Sequence, residues 1–226
     1  MVKIIYEDDS IIVINKPAGL ATQSANIASK DCVSVLKKHI SDTQNIKAEP
    51  YLGIIHRLDQ PVAGILVFAK NQKAAAKLSA QVGGVGMNKT YRALVEGNLP
   101  LNETSTLTNM MYKDPKEKKG IVVKKVGRKD VKLQEAVLNY KVLQINDKNN
   151  TSLLEIELKT GRFHQIRAQL SAIGHPIAGD KKYGSTIECP NDFIEEGAAP
   201  RGAIALQACE LTFKHPDSGK VMNFKV

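Results

Sequence analysis

His56-Arg57-Leu58-Asp59 puts an imidazole, a guanidinium and a carboxylate within four residues. Gln60-Pro61-Val62-Ala63-Gly64 and the apolar run Ile65-Leu66-Val67-Phe68-Ala69 follow, so the quartet reads as a loop entering a buried strand. Loops held at strand ends are where a rigid scaffold presents reactive groups. Ionised, Asp59 can serve as nucleophile, general base or ion-pair partner. For a lone Asp beside Pro and Gly, capping a turn or pairing with its neighbour Arg57 is the commoner use. A second segment changes that balance. Gly161-Arg162-Phe163-His164-Gln165-Ile166-Arg167 sets two arginines and a histidine at an expected helix start, and Gly174 to Gly184 is dense in glycine and charge. A guanidinium such as Arg162 set against Asp59 favours the ionised carboxylate that nucleophilic or base chemistry needs. Arg57 and Arg167 are then available to meet phosphates or stack on a base.

The elements that must position these groups follow from pattern. Ile11-Ile12-Val13-Ile14 reads as a buried strand stopped by Asn15-Lys16-Pro17-Ala18-Gly19. Asp31 to Ile40 carries a helical apolar stripe with Asp31 near its first turn, and Asn71 to Val82 is an alanine-rich helix with Asn71 as N-cap, ended by Gly83-Gly84-Val85-Gly86. Thr90 to Val95 reads as a strand. Lys132 to Ile145 and Ser152 to Lys159 read as two strands joined by a turn at Asp147-Lys148-Asn149-Asn150. Arg162 to Ala172 reads as a helix capped by Thr160, with Arg162, Gln165 and Gln169 as a polar stripe. Ala203 to Phe213 and Val221 to Val226 supply further strands, and Lys116 to Gly120 an exposed hairpin. The expected fold is α+β, a mixed, mainly antiparallel central sheet with flanking helices and a basic active-site cleft.

Composition narrows the chemistry. The 226 residues carry 32 Lys+Arg against 23 Asp+Glu, a net charge of +9. That balance favours a polyanionic partner, nucleic acid before anionic membrane. No apolar run is long enough to suggest a membrane span. The acidic Glu7-Asp8-Asp9 comes too early for a signal peptide, so a cytoplasmic location is expected. Cys32, Cys189 and Cys209 are odd in number and far apart, giving no disulfide framework; Cys189 is the one expected to be exposed. The five histidines lack ligand spacing, so no metal is expected. Gly83 to Thr90 approaches a phosphate-binding loop, but Asn88 stands where its final glycine belongs. No Gly-x-Ser-x-Gly elbow supports a serine hydrolase.

Taken together, the motifs resemble the RluA-type RNA pseudouridine synthases. The likeness runs in order from Asp8-Asp9 and Val13 to Gly19, through His56 to Lys70, Lys89 to Gly97 and Gly161 to Gly184, to Ala205 through Pro216. The resemblance implies a cofactor-independent isomerisation of uridine to pseudouridine in tRNA or ribosomal RNA. It makes Asp59 the essential carboxylate, packs Tyr91 on the target base and pairs Arg162 with Asp59. Arg57 would fill the space left by the flipped uridine. His56 and Leu58 would shape the loop. Many relatives carry an extra N-terminal RNA-binding domain, whereas here the likeness begins within the first ten residues, so one catalytic domain over residues 1–226 is expected, and nothing in the sequence demands more than a monomer. Target choice would then rest on its own surface, including the lysines from Lys113 to Lys132. A non-catalytic RNA-binding or ribosome-assembly protein on the same fold is the rival reading. The chain departs from the common pattern at Val62-Ala63, where a hydroxyl pair is usual, and at Gln169, where His is usual. Both departures are expected to alter RNA fit, and Ala63 to weaken a local backbone hydrogen bond.

Overall fold

The computed structural model describes residues 2–24, 29–45, 47–82, 86–123, 131–193 and 199–226. In chain order its elements are β1 (Lys3–Glu7), β2 (Ile11–Lys16), α1 (Cys32–Gln44), β3 (Gly53–Ile54), β4 (Ala63–Ala69), α2 (Gln72–Ser79) and β5 (Asn88–Glu96). Then come β6 (Thr104–Asp114), β7 (Lys119–Val122), β8 (Gln134–Asn146), β9 (Thr151–Leu158), α3 (Gln165–Ala172), β10 (Leu206–Lys214) and β11 (Val221–Lys225). The mainly antiparallel sheet and helices make an α+β fold, as the pattern implied. The chain divides into two compact units, residues 1–89 with 208–226, and residues 90–207.

In the first unit β2 lies between β1 and β4, and both pairings are antiparallel. Every residue of β4 is buried, as are Ile11, Ile12, Val13 and Ile14 of β2. Strands covered on both faces need continuous apolar runs rather than alternation, which is what these two segments supply. One face packs Ile11, Val13, Ile65 and Val67 against Ala74 and Leu78 of α2 and Leu211 and Phe213 of β10. Helix α2 starts where Asn71 Oδ1 accepts the Ala74 N–H at 2.8 Å. In α1 the Asp31 carboxylate accepts from Ser34 N–H at 2.7 Å while Ser34 Oγ accepts from Asp31 N–H at 3.1 Å, a reciprocal cap.

Strand order in the second unit is β5, β9, β8, β6, β7. The described registers are antiparallel, for example Tyr91 opposite Ile156 and Tyr140 opposite Ile156. One face is apolar: Tyr91, Ala93, Val95, Ala136, Leu138, Val142, Leu154 and Ile156 are all buried. Asn150, at a φ of 49°, closes the β8–β9 turn on Asp147. Strand β6 went unread in the sequence, because Thr104-Ser105-Thr106 and Thr108-Asn109 give it little apolar signal.

Helix α3 begins at Gln165, three residues later than the pattern suggested, because His164 is left-handed at a φ of 53°. Thr160 is not its cap; its hydroxyl donates to Gln165 Oε1 at 2.8 Å and accepts from Val137 N–H at 2.8 Å. Of the expected polar stripe, Gln165 and Gln169 are internal, whereas Arg162 precedes α3 and is not buried. Gln169 is fully buried and donates to the Leu107 carbonyl, Asn109 Oδ1 and the Ala136 carbonyl, tying the helix to β6 and β8. Any effect of this departure on RNA fit would have to act through the placement of α3. The segment Gly83 to Val85 and the lysines beyond Val123 up to Asp130 lie outside the described residues.

Candidate active site

Asp59 is partly buried and opens a turn in which Val62 N–H donates to its carbonyl at 3.0 Å. That bond is made by backbone alone, with Val62 and Ala63 buried beneath it, so alanine at position 63 has not removed it. The loop is held on both sides of Asp59 by the segment from Lys16 to Thr22. On the near side Thr22, 3% exposed, donates its hydroxyl to the Leu58 carbonyl at 2.9 Å and accepts from Leu58 N–H at 3.2 Å. On the far side Gly19 N–H donates to the Gln60 carbonyl at 2.8 Å, and Gln60 Nε2 returns a hydrogen bond to the Gly19 carbonyl at 3.0 Å. Arg57, exposed, stands two residues before Asp59 on the same loop.

Lys16 anchors this clamp. Its side chain is wholly buried, and Nζ donates to the carbonyls of Leu20 at 2.7 Å, Pro17 at 3.0 Å and Gln60 at 3.2 Å. Burial lowers its pKa to about 8, against an opposing attraction from Cys32 and Asp59. The order of protons fixes the pH dependence. Below about 8 the amine is charged whether the chain is folded or not. Between about 8 and 10.5 the folded protein releases a proton that the unfolded chain keeps. The unfolded state then binds more protons, so the Lys16 contribution to stability rises with pH across that window. Urea denaturation at pH 7.5, 9 and 10 checks this: relative to wild type, Lys16→Met flattens the rise.

Thr22 gives a second expectation. Thr22→Val keeps the shape but leaves both backbone polar groups of buried Leu58 unpaired, at about 1–3 kcal/mol for each unmet group. Thermal denaturation shows the loss, and Thr22→Ser, which keeps the hydroxyl, restores most of it.

His56 does not carry charge. Burial, with Lys89 nearby as a smaller cause, lowers its pKa to about 3. Its Nε2 accepts a long hydrogen bond from Val67 N–H at 3.4 Å, which places the proton of the neutral ring on Nδ1. Nδ1 is buried and has no partner among the described residues. The imidazole thus takes over as acceptor on β4 just beyond the last β3 pair, Ile54 with Phe68. This bond joins the loop to β4.

Tyr91 and Arg162 belong to the second unit. Tyr91, 6% exposed, stands on the buried face of β5. Arg162 Nε donates to the Glu135 carbonyl at 2.8 Å, while its own N–H is held by Gln165 Oε1 at 3.0 Å. Arg167 does not meet phosphate as expected. It is buried in a two-point pair with Asp180, Nε to Oδ2 at 2.7 Å and Nη2 to Oδ1 at 2.9 Å, with Tyr183 against its guanidinium. Burying that charge is tolerable because both carboxylate oxygens are engaged. Cys189 is only half-exposed, and burial pushes its thiol up to about 11. Among the described residues no three His, Cys, Asp or Glu side chains group as metal ligands, and no helix is long and apolar enough to cross a membrane.

Lys16, Thr22 and Gln60 were not singled out from the sequence. Lys16 carried one signal, a lysine ending an apolar strand; Thr22 carried none.

A family model described as RNA pseudouridylate synthase matches residues 10–172. A protein of Aquifex aeolicus (strain VF5), called an uncharacterized RNA pseudouridine synthase, is 34% identical over 233 residues, 100% of this chain and 69% of that protein. The ribosomal large subunit pseudouridine synthase D of Neisseria meningitidis (strain Z2491) is 34% identical over 223 residues, 98% of this chain but 57% of its own length. Among solved structures, human RNA pseudouridylate synthase domain containing 4 superposes with a TM-score of 0.72 at 22% identity, covering 99% of this chain and 87% of that one. At that identity the likeness bears on fold alone.

Proposed function

Because the chain belongs to the RNA pseudouridine synthase family, we propose that it isomerises selected uridines of structured RNA to pseudouridine, with Asp59 as the essential carboxylate. Large-subunit ribosomal RNA is the first substrate to try, since several relatives carry that substrate in their names, and tRNA is the second. The cytoplasm, where both RNAs are matured, is the proposed location. In the reaction the C1′–N1 bond breaks, the uracil turns, and C5 joins C1′. N1 gains a proton and C5 loses one, so no oxidant or reductant enters. Extruding the base from a stem costs a few kcal/mol. Tyr91 is proposed to pack on it, recovering about 1–3 kcal/mol per stacked base. Arg162 is proposed to pair with Asp59, and Arg57 to fill the gap in the RNA.

The observation that carries this reading is the clamp. A carboxylate that merely capped a turn would not need the residues on both sides of it fixed by Thr22, Gly19 and Lys16. Fixed geometry is what a reacting group requires, since a displacement of about 1 Å can cost a hundred-fold in rate. The test uses RNA carrying tritium at uridine C5. Turnover releases tritium to water and leaves pseudouridine in mapped ribosomal or transfer RNA. If neither RNA releases tritium nor gains pseudouridine, the reading fails. Release of free uracil would identify a glycosylase instead.

A further inference from the structure

We infer that Phe163 and the lysine-bearing β6–β7 turn form a docking face for an unstacked RNA base and its adjoining phosphate, an inference that rests on RNA being the partner. Phe163 is 37% exposed and, with Tyr51, is one of two exposed aromatic side chains among the described residues. A single exposed ring is ordinary by itself; what sets this one apart is how it is held and what surrounds it.

This ring is held in place. It stacks on the His164 imidazole with centroids 3.9 Å apart and planes 19° from parallel. His164 keeps a left-handed backbone, which a non-glycine residue holds only where its surroundings require it. Those surroundings are visible. His164 Nδ1 is hydrogen-bonded to the Tyr183 hydroxyl at 2.9 Å, and that hydroxyl accepts from Gly120 N–H at 2.7 Å. Gly120 in turn packs so closely on the Phe163 carbonyl that a Cβ there would lie 2.3 Å from the oxygen. The β7 end of the hairpin and the stacked ring pair are therefore one fixed piece.

The charge beside the ring has the sign RNA needs. Lys113 Nζ sits 4.7 Å from the Phe163 centroid, and Lys116 and Lys118 are exposed on the turn. Of the two acids there, Asp114 is occupied in accepting the N–H groups of Lys116 and Glu117. An exposed ammonium sits on a ring more weakly than a nucleobase stacks on it. An arriving base therefore displaces Lys113 from the ring, and the freed ammonium takes the phosphate. A purely acidic polymer such as polyglutamate would use the lysines but has no flat group for the ring.

The probe is a single-stranded RNA octamer with one 2-aminopurine, titrated with the full chain at several salt concentrations. The base's fluorescence is quenched on binding to wild type. Phe163→Ala weakens binding about tenfold and loses the quench; Phe163→Leu, which keeps bulk and fold, loses the quench as well, and Phe163→Trp restores both. Lys113→Ala keeps the quench and lowers the salt slope by about 0.7, the value for one phosphate on a single strand. Unchanged affinity and quench in Phe163→Leu would overturn the inference, as would polyglutamate competing equally against wild type and Phe163→Leu. Tritium release measured in parallel separates the two readings. Turnover by wild type with binding indifferent to Phe163 overturns this inference alone, whereas binding as described without turnover overturns only the isomerase.

Discussion

Asp59→Asn lowers tritium release from C5-labelled RNA by at least about a thousand-fold, a loss within the range for removing a positioned acid–base group. RNA affinity stays within a few-fold of wild type, because the cationic groups proposed to contact RNA are untouched. The fold survives because backbone and side-chain bonds that the substitution leaves in place also hold the loop. Its turn is closed by Val62 N–H on the Asp59 carbonyl, and its flanks by Thr22 and Gly19. The substitution does remove an attraction that raises the Lys16 pKa, so a small loss of thermal stability accompanies it. Asp59→Glu separates charge from position. It keeps the carboxylate but moves it by one methylene, and a loss comparable to Asp59→Asn is the result expected if geometry limits the step. Normal turnover by Asp59→Asn would remove Asp59 from the chemistry. Weaker RNA binding by Asp59→Asn in proportion to lost turnover would make it a binding residue instead. In the same assay Thr22→Val lowers kcat about ten- to a hundred-fold with KM unchanged, the result expected if buried Thr22 acts only through the placement of Asp59.

What the sequence disclosed was the local part of the design. The runs of β2 and β4, the cap Asn71, and the turn between β8 and β9 all draw on interactions among residues a few places apart, and each is found where it was read, while Asp31, read as lying near a first turn, proves to be an N-cap. What stayed hidden depends on distant partners. Thr22 reads as any surface threonine until Leu58, 36 residues on, is brought against it. Arg167 looks like a phosphate ligand until Asp180 consumes both edges of its guanidinium. The start of α3 moved because the Tyr183 hydroxyl, 19 residues downstream, holds His164 out of the helix. The motif order pointed to Asp59, Tyr91 and Arg162, whereas the means of holding Asp59 still came only with coordinates.

Gly64→Ala should strongly destabilise the fold. Gly64 has a φ of +126°, and an added Cβ would lie 2.3 Å from the Ala208 carbonyl oxygen and 2.5 Å from the Ala208 nitrogen. Both contacts are backbone of the neighbouring strand, so no side chain can swing aside. Conformational strain of about 1–3 kcal/mol and overpacking of about 1–3 kcal/mol combine to roughly 4 kcal/mol. For a chain of this size that lowers the melting temperature by roughly 10 °C. Gly174→Ala isolates the strain term, since Gly174 has a φ of +89° with nothing within 4 Å of the built Cβ. Its cost should stay near 1–2 kcal/mol. Equal shifts for the two variants would show that the contact with Ala208 relaxes freely. The effect on turnover should exceed the loss of folded protein. Gly64 is paired with Lys16 in the β2–β4 ladder. A strand pushed off Ala208 drags that pair, and Lys16 is bonded to the Gln60 carbonyl immediately after Asp59. At 20 °C, where the variant remains folded, the rate per folded molecule should still fall at least tenfold, as a shift of a few tenths of an ångström to 1 Å at a reacting group implies.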